Sequence, residues 1–189
     1  MSKSSRSKLA PVLALAASAW ACNSTNTAAL PSAPPGVVMQ KIAVTSKSFS
    51  SNTTIPVDYT CDGADRSPQL TWSAPPQGTK AFAIITDDPD APGGDFFHWV
   101  AFNIRGDVTA IPEGSDVGEL GGISAINGFS RPGYNGPCPP KFELHSYIFR
   151  VYALDGPIEV RPGGNADDVQ AAMNGHVLGL GALVGTFSH

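Results

Sequence analysis

The sequence predicts a mostly β protein, an antiparallel β-sandwich with peripheral helices near the C-terminus. Three observations point there. Gly (20) and Pro (17) together make up close to one residue in five of the 189, which disfavours bundles, coiled coils and long-helix repeats. The apolar residues gather in short β-branched and aromatic runs bounded by Gly, Pro and Asp. A strong helix signal occurs once, and late. An apolar share of 42% suffices for one core of about 150 residues, so a single domain is expected.

Residues 1–21 read as a signal peptide. Lys3, Arg6 and Lys8 form a basic n-region, Leu9 to Ala19 an apolar h-region, and Ala19-Trp20-Ala21 a small-x-small cleavage pattern. The apolar stretch is too short for a lasting membrane span. Cys22 then resembles the lipidation cysteine of bacterial lipoproteins, with plain secretion as the alternative, and residues 22–36 read as a lipidated Cys and uncharged flexible tether. The expected location is the bacterial cell envelope, on a membrane through lipid on Cys22, or periplasmic or secreted without it. Cleavage leaves 9 Lys and Arg against 16 Asp and Glu, a net of −7, and no basic run, so nucleic acid is a poor partner.

The folded domain is placed at residues 37–189. Strands are expected where Ile55, Val57 and Tyr59 alternate with Pro56 and Asp58, and over Lys80 to Thr86, His98 to Ile104 and Tyr147 to Leu154. A helix is expected to begin at Asn165, with Asp167 and Asp168 in its first turn and Gly175 just past its end.

Two segments stand out chemically. Asp87-Asp88-Pro89-Asp90-Ala91-Pro92 follows a strand and precedes His98, so it presents carboxylates from a rigid turn at a sheet rim. Gly133-Tyr134-Asn135-Gly136-Pro137-Cys138-Pro139-Pro140 is held near polyproline geometry and leads to His145 and Tyr147. Taken alone, each reads as a surface turn or connector. Asp88, His98 and His145 also form a conceivable metal set, but no metal or cofactor is implied by any motif: HExxH, CxxC, GxSxG, P-loop and Rossmann fingerprints are absent. His176 is read as a core or capping residue and His189 as part of a disordered terminus.

Together, CDGADRSPQLTW (61–72), DDPDAP (87–92), HWVAFNI (98–104), GYNGPCPP (133–140), HSYIFRVYALD (145–155) and GHVLGLGALVGTF (175–187) resemble the phosphatidylethanolamine-binding protein family, in its bacterial Raf-kinase-inhibitor-like branch. The resemblance implies a β-sandwich with a small pocket for phosphate or a phospholipid head group at one end of a sheet. By motif, the ligand-binding residues would be Asp88, Pro89, Asp90, Pro92, His98, Tyr134, Gly136, Pro137, Pro139, Pro140, His145 and Tyr147. Pro92 resembles a proline that follows a cis bond in relatives. Lys141-Phe142 stands where the family usually has Lys-Gly, which is expected to narrow the mouth, and Ser146 replaces an Arg.

Three functions compete: a cell-envelope binding protein with possible regulation of a protein target, a hydrolase or transferase using an Asp-His pocket, and a purely structural or inhibitory surface protein. The binding reading leads, because no motif places a nucleophile or metal beside the histidines. Cys61 and Cys138 are expected to form a disulfide or to lie near one another, a packing role being the alternative. An anion meeting carboxylates of its own sign requires protons, so binding is expected to strengthen as pH falls from about 8 to about 5.5, with uptake by His98 or His145 and Asp88. Backbone N–H groups of Gly136 to Cys138 are expected as further donors.

Overall fold

The computed structural model describes residues 29–189; the expected signal peptide and Cys22 lie outside the described residues. The main sheet has seven strands. Along it run β1 (Gln40–Lys41), β10 (Val177–Phe187), β9 (His145–Leu154), β5 (Ala81–Asp88), β6 (Phe96–Arg105) and β8 (Ile123–Ser124), and β3 (Thr53–Thr54) pairs with β10 off this path. A second sheet carries β2 (Val44–Thr45), β4 (Leu70–Trp72) and β7 (Ala110–Ile111). Pairing is antiparallel except that the short β1 and β3 lie parallel to β10.

The near-continuous apolar run of β5 follows from its position. It lies between β9 and β6, and all eight of its residues are buried. One face of the main sheet packs with Phe82, Ile84, Trp99, Phe149 and Val151 against Ile42, Leu70 and Trp72 of the small-sheet side. The other face places Ala83, Ile85, Val100 and Tyr152 against Val169 and Met173 of α1 (Ala166–Met173). The sheet is therefore covered on both sides, the condition under which a strand loses its polar alternation.

Helix α1 is the one α-helix among the described residues, where several were expected. Asn165 caps it through a reciprocal box: its side chain accepts from the Asp168 N–H at 3.2 Å, and the Asp168 carboxylate accepts from the Asn165 N–H at 3.1 Å. The strand expected over residues 55–59 is instead a 3-10 turn at Val57–Tyr59, because Pro56 has no N–H to give a ladder.

The stretch expected to be a tether is partly docked. Pro31 is buried, the Ser32 carbonyl accepts from the N–H groups of Gly175 and Val177, and Ser32 N–H donates to Asn174. The ordered domain thus begins before Val37.

His189 and His176 also differ from expectation. The His189 ring makes a 2.9 Å contact with Asp62 and packs on Phe187, while His176 is exposed and paired with Asp155 at 2.9 Å. Cys61 and Cys138 form a disulfide, with Cα atoms 5.5 Å apart.

Candidate functional site

The site lies where β5 ends and β6 and β9 begin. Asp88 closes β5 and pairs in register with Phe96, while His145 opens β9. His98 arrives there by a bulge: Thr86 opposes Trp99 and Asp87 opposes Phe97, so β6 spends one extra residue, His98, on a single step of β5. Its carbonyl accepts from Asn135 N–H at 3.0 Å, tying the bulge to the Pro-rich segment.

A cavity of about 460 Å³ forms between these elements, lined by Asp88, Ala91, Pro92, Phe96, His98, Phe129, Cys138, Pro139, Pro140 and His145. Its hydrogen bonds fix the protonation logic. Asp88 Oδ2 lies 2.7 Å from His145 Nδ1, and Glu143 Oε2 lies 3.2 Å from His145 Nε2. Both ring nitrogens therefore face carboxylates and donate, as in an imidazolium. Burial opposes that charge, but the hydrogen bonds from Asp88 and Glu143 outweigh it and hold the His145 pKa above the ordinary 6.5.

His98 goes the other way. Burial pushes its pKa below 6.5, against the opposing pull of the Asn135 carbonyl and the Asp88 charge. Its Nδ1 donates to the carbonyl oxygens of Asn135 at 2.9 Å and Gly136 at 3.1 Å, which leaves Nε2 as the ring nitrogen without an assigned partner. Of the two histidines in the pocket, His145 is thus the more readily charged and His98 the more readily neutral. His145 spends both ring nitrogens on carboxylates and His98 spends Nδ1 on the Pro-rich segment 133–140, here termed the strap, so the three residues considered as a metal set do not share one group of free ligand atoms.

Of the residues expected in the pocket, Asp88, Pro92, His98, Pro139, Pro140 and His145 line it. The others support or leave it. Asp90 accepts from Ser146 N–H at 2.8 Å and clamps the acid loop to β9, while its own N–H donates to Asp88 Oδ1 at 2.9 Å. Pro89 faces a smaller cavity on the helix side, beside the ion pair of buried Asp87 with half-buried Arg150. Tyr134 donates to the Tyr59 carbonyl at 2.7 Å, which draws it to a separate cavity of about 500 Å³ with Asp65, Arg66 and Trp99. That cavity is slightly larger, but it gathers no buried histidine or aspartate of the two motifs.

Gly136 N–H is not a free donor, since Asp65 Oδ1 accepts it at 2.6 Å. Pro137 supplies its carbonyl to Cys61 N–H at 3.1 Å. Tyr147 lies under the His98 ring, centroids 5.1 Å apart, with its hydroxyl buried; burial, followed by the Asp88 charge, raises its pKa well above the ordinary 10.

Two further expectations are corrected. No cis peptide is present among the described residues, and the acid loop turns instead through the Asp88–Asp90 contact and the positive φ of Gly93 and Gly94, which glycine adopts freely. Phe142 does not narrow the mouth, because its side chain points to solvent and is 95% exposed.

Residues the sequence reading missed are Phe96 and Phe129, which stack edge-on at 5.0 Å and wall the cavity, and Asp65, which with Asn127 and Asn135 holds the strap. The Phe96-Phe97 pair before His98 was the available signal for the first. Asp65 lies inside the 61–72 motif, but its role is not readable there, because its partner Gly136 is 71 residues away. The thiol in the cavity wall, Cys138, is engaged in the disulfide and is no nucleophile in this state.

Comparison with known proteins places this architecture. A UPF0098 protein of Methanothermobacter thermautotrophicus is 45% identical over 142 residues, covering 74% of this chain and 93% of that protein. LppC of Mycobacterium tuberculosis, which carries a lipoprotein designation, is 35% identical over 154 residues, covering 81% of this chain and 75% of that one. Among solved structures, Escherichia coli YbcL, described as a member of the mammalian PEBP family, superposes with a TM-score of 0.74 at 31% identity, covering 79% of this chain and 99% of that chain. CT736 of Chlamydia trachomatis gives 0.73 at 32%, with the same coverage. Residues 45–188 match the phosphatidylethanolamine-binding protein family throughout, and the chain belongs to that family.

Proposed function

We propose that this chain is a cell-envelope binding protein whose cavity holds inorganic phosphate or the phosphate of a phospholipid head group. The observation that supports this most is the cavity itself, in which two buried histidines of opposite protonation tendency meet Asp88 beneath an apolar rim of Phe96, Phe129 and three prolines. His145, when protonated, offsets Asp88 and Glu143 but has no donor to spare. A bound anion therefore takes its hydrogen bond from His98 Nε2, which must gain a proton to donate it while Nδ1 stays on the strap. The apolar rim suits the ester carbons of a lipid as well as it excludes water from the anion.

In the same reading, the chain is exported and Cys22 is lipidated, as the LppC designation favours for that relative. Among the described residues no helix is long and apolar enough to cross a membrane. A protein target regulated by occupancy of the pocket remains part of this proposal. Native mass spectrometry of protein isolated from its own envelope tests it. The expected result is a retained phosphate or phospholipid that is lost on His98→Ala; retention of neither species by the wild-type protein overturns the reading.

A further inference from the structure

We propose that the dithiol form of the protein binds one zinc ion through Cys61 Sγ, Cys138 Sγ and His189 Nε2, with Asp62 orienting the imidazole. The two sulfurs and a ring nitrogen of His189 lie within 4.8 Å of one another, and all three residues are exposed. Paired thiolates with an imidazole are a donor set that suits zinc.

Three separate parts of the chain supply these groups. Cys61 stands in the turn after the 3-10 element, Cys138 in the strap, and His189 just past the end of β10. Contacts other than the bridge hold the first two together. Cys61 N–H donates to the Pro137 carbonyl at 3.1 Å, Tyr134 donates to the Tyr59 carbonyl at 2.7 Å, and Asp65 accepts from Gly136 N–H at 2.6 Å. Opening the S–S bond therefore leaves the two thiols facing each other, on Cα atoms that lie 5.5 Å apart in the bridged state. Zn–S bonds of about 2.3 Å put two sulfurs of a tetrahedral site about 3.8 Å apart, a spacing that side-chain rotation reaches from such Cα positions.

The histidine is what the bridge does not explain. A disulfide needs neither an imidazole nor a carboxylate beside it, yet His189 is held there from two sides. Its Nδ1 donates to Asp62 Oδ2 at 2.9 Å, and its ring packs edge-on against Phe187 with centroids 5.8 Å apart. That hydrogen bond fixes the tautomer and leaves the Nε2 lone pair free. A carboxylate on the far nitrogen is the arrangement that orients metal-binding histidines and raises the basicity of the ligating nitrogen. Two thiolates and one imidazole leave the fourth position of the ion to water, which the exposure of the site admits.

The bridge and the ion exclude each other, so reduction opens the site. A dithiol reductant transfers two electrons to the S–S bond and one proton to each sulfur, and is itself oxidised to a disulfide. Zn²⁺ then displaces the two thiol protons to solvent, with no further electron transfer. The bound ion takes over from the bridge in linking turn 61–64 to the strap, where Cys138 lines the cavity.

The test uses the mature chain carrying Cys22→Ser, in which Cys61 and Cys138 are the two remaining cysteines. It is reduced with a water-soluble phosphine, which becomes its oxide, then desalted without oxygen and titrated with Co²⁺ followed by Zn²⁺. One Co²⁺ per chain is expected, seen as sulfur-to-cobalt charge-transfer absorption in the near ultraviolet and displaced by one equivalent of Zn²⁺. The disulfide form should show no such absorption. His189→Ala should weaken Zn²⁺ affinity at least about tenfold, and Asp62→Asn about tenfold at the same stoichiometry. His176→Ala, at the exposed histidine paired with Asp155, should leave it unchanged. Because an unfolded dithiol chain can also take up metal, the melting temperature of the reduced protein is read as well: Zn²⁺ should raise it in the wild type, and less in His189→Ala. The site is overturned by no Co²⁺ uptake in the reduced wild type, by one ion shared between two chains, by an affinity unchanged in His189→Ala, or by a melting temperature that Zn²⁺ does not raise.

Discussion

Replacing Asp88 by Asn tests the charge arrangement at the base of the pocket. The carboxylate and the His145 ring are each only 4% exposed, and Asp88 accepts from two donors, His145 Nδ1 at 2.7 Å and Asp90 N–H at 2.9 Å. An amide of the same shape offers one oxygen, which stays with the Asp90 N–H, and turns its NH₂ toward His145. Neutral His145 tolerates this by switching tautomer, with Nε2–H on Glu143 and Nδ1 accepting. Protonated His145 does not, since two donors then meet.

Because the folded pKa of His145 lies above 6.5, its contribution to stability is fully present below the unfolded value and is lost as pH rises through the folded one. Asp88→Asn should therefore cost about 2 kcal/mol near pH 6, the worth of a charge-assisted hydrogen bond, and about 1 kcal/mol or less well above the folded pKa. His98 acts in the opposite sense. Its depressed pKa gives stability that is present above 6.5 and is lost as pH falls, so the variant should lose stability on acidification more steeply than the wild type. Urea unfolding across about pH 5.5 to 9 reads both effects. An equal cost at every pH, or no cost at all, would refute the assigned protonation states.

Two further predictions concern the strap. Reducing the Cys61–Cys138 bridge, which closes a separation of 77 residues, should cost about 4 kcal/mol in the unfolding free energy, measured by denaturant titration with and without a dithiol reductant; a change below about 1 kcal/mol would contradict it. Gly136→Ala should destabilise by about 3 kcal/mol and weaken phosphate binding, because a Cβ there would sit 2.2 Å from the Tyr59 carbonyl oxygen on a backbone also pinned by Asp65; an unshifted melting temperature would show that the strap yields freely.

What the sequence makes legible depends on how locally each feature is encoded. β5, β6 and β9 are readable because burial against the two covered faces of the main sheet concentrates β-branched and aromatic residues in them, fully in β5 and over most of β6 and β9. The 11-residue β10 is not. Its glycines at 179, 181 and 185 erase the pattern, and they are there because neighbouring chain approaches closely: a Cβ on Gly181 would lie 2.2 Å from the Ile42 carbonyl oxygen. Pro56 makes the opposite error, since an apparent alternation over residues 55–59 hides a turn.

The same distinction holds in the site. Asp88, His98 and His145 can be named from motifs adjoining strands, whereas which of them is charged depends on contacts between residues 57 positions apart, as in the Asp88–His145 pair. Pro89, Asp90 and Pro92 sit within one short motif, yet strand alternation and the turn send Pro89 to the helix face, Asp90 to the Ser146 backbone and Pro92 to the cavity. Phe129 enters the wall from the far end of a Gly- and Pro-rich loop, a long-range placement with no local signature.

The central claim is that the pocket binds a phosphate-type anion by charging His98. Titration calorimetry with inorganic phosphate, in buffers of different ionisation enthalpy, measures that proton directly. Since the free-state pKa of His98 lies below 6.5 and a bound anion raises it, affinity should strengthen as pH falls through the bound-state value and level off below the free-state one. Near neutrality, uptake should approach one proton per phosphate for the wild type and vanish in His98→Ala, with affinity reduced at least about tenfold. Phosphate affinity independent of pH, or binding and proton uptake unchanged in His98→Ala, would contradict the account.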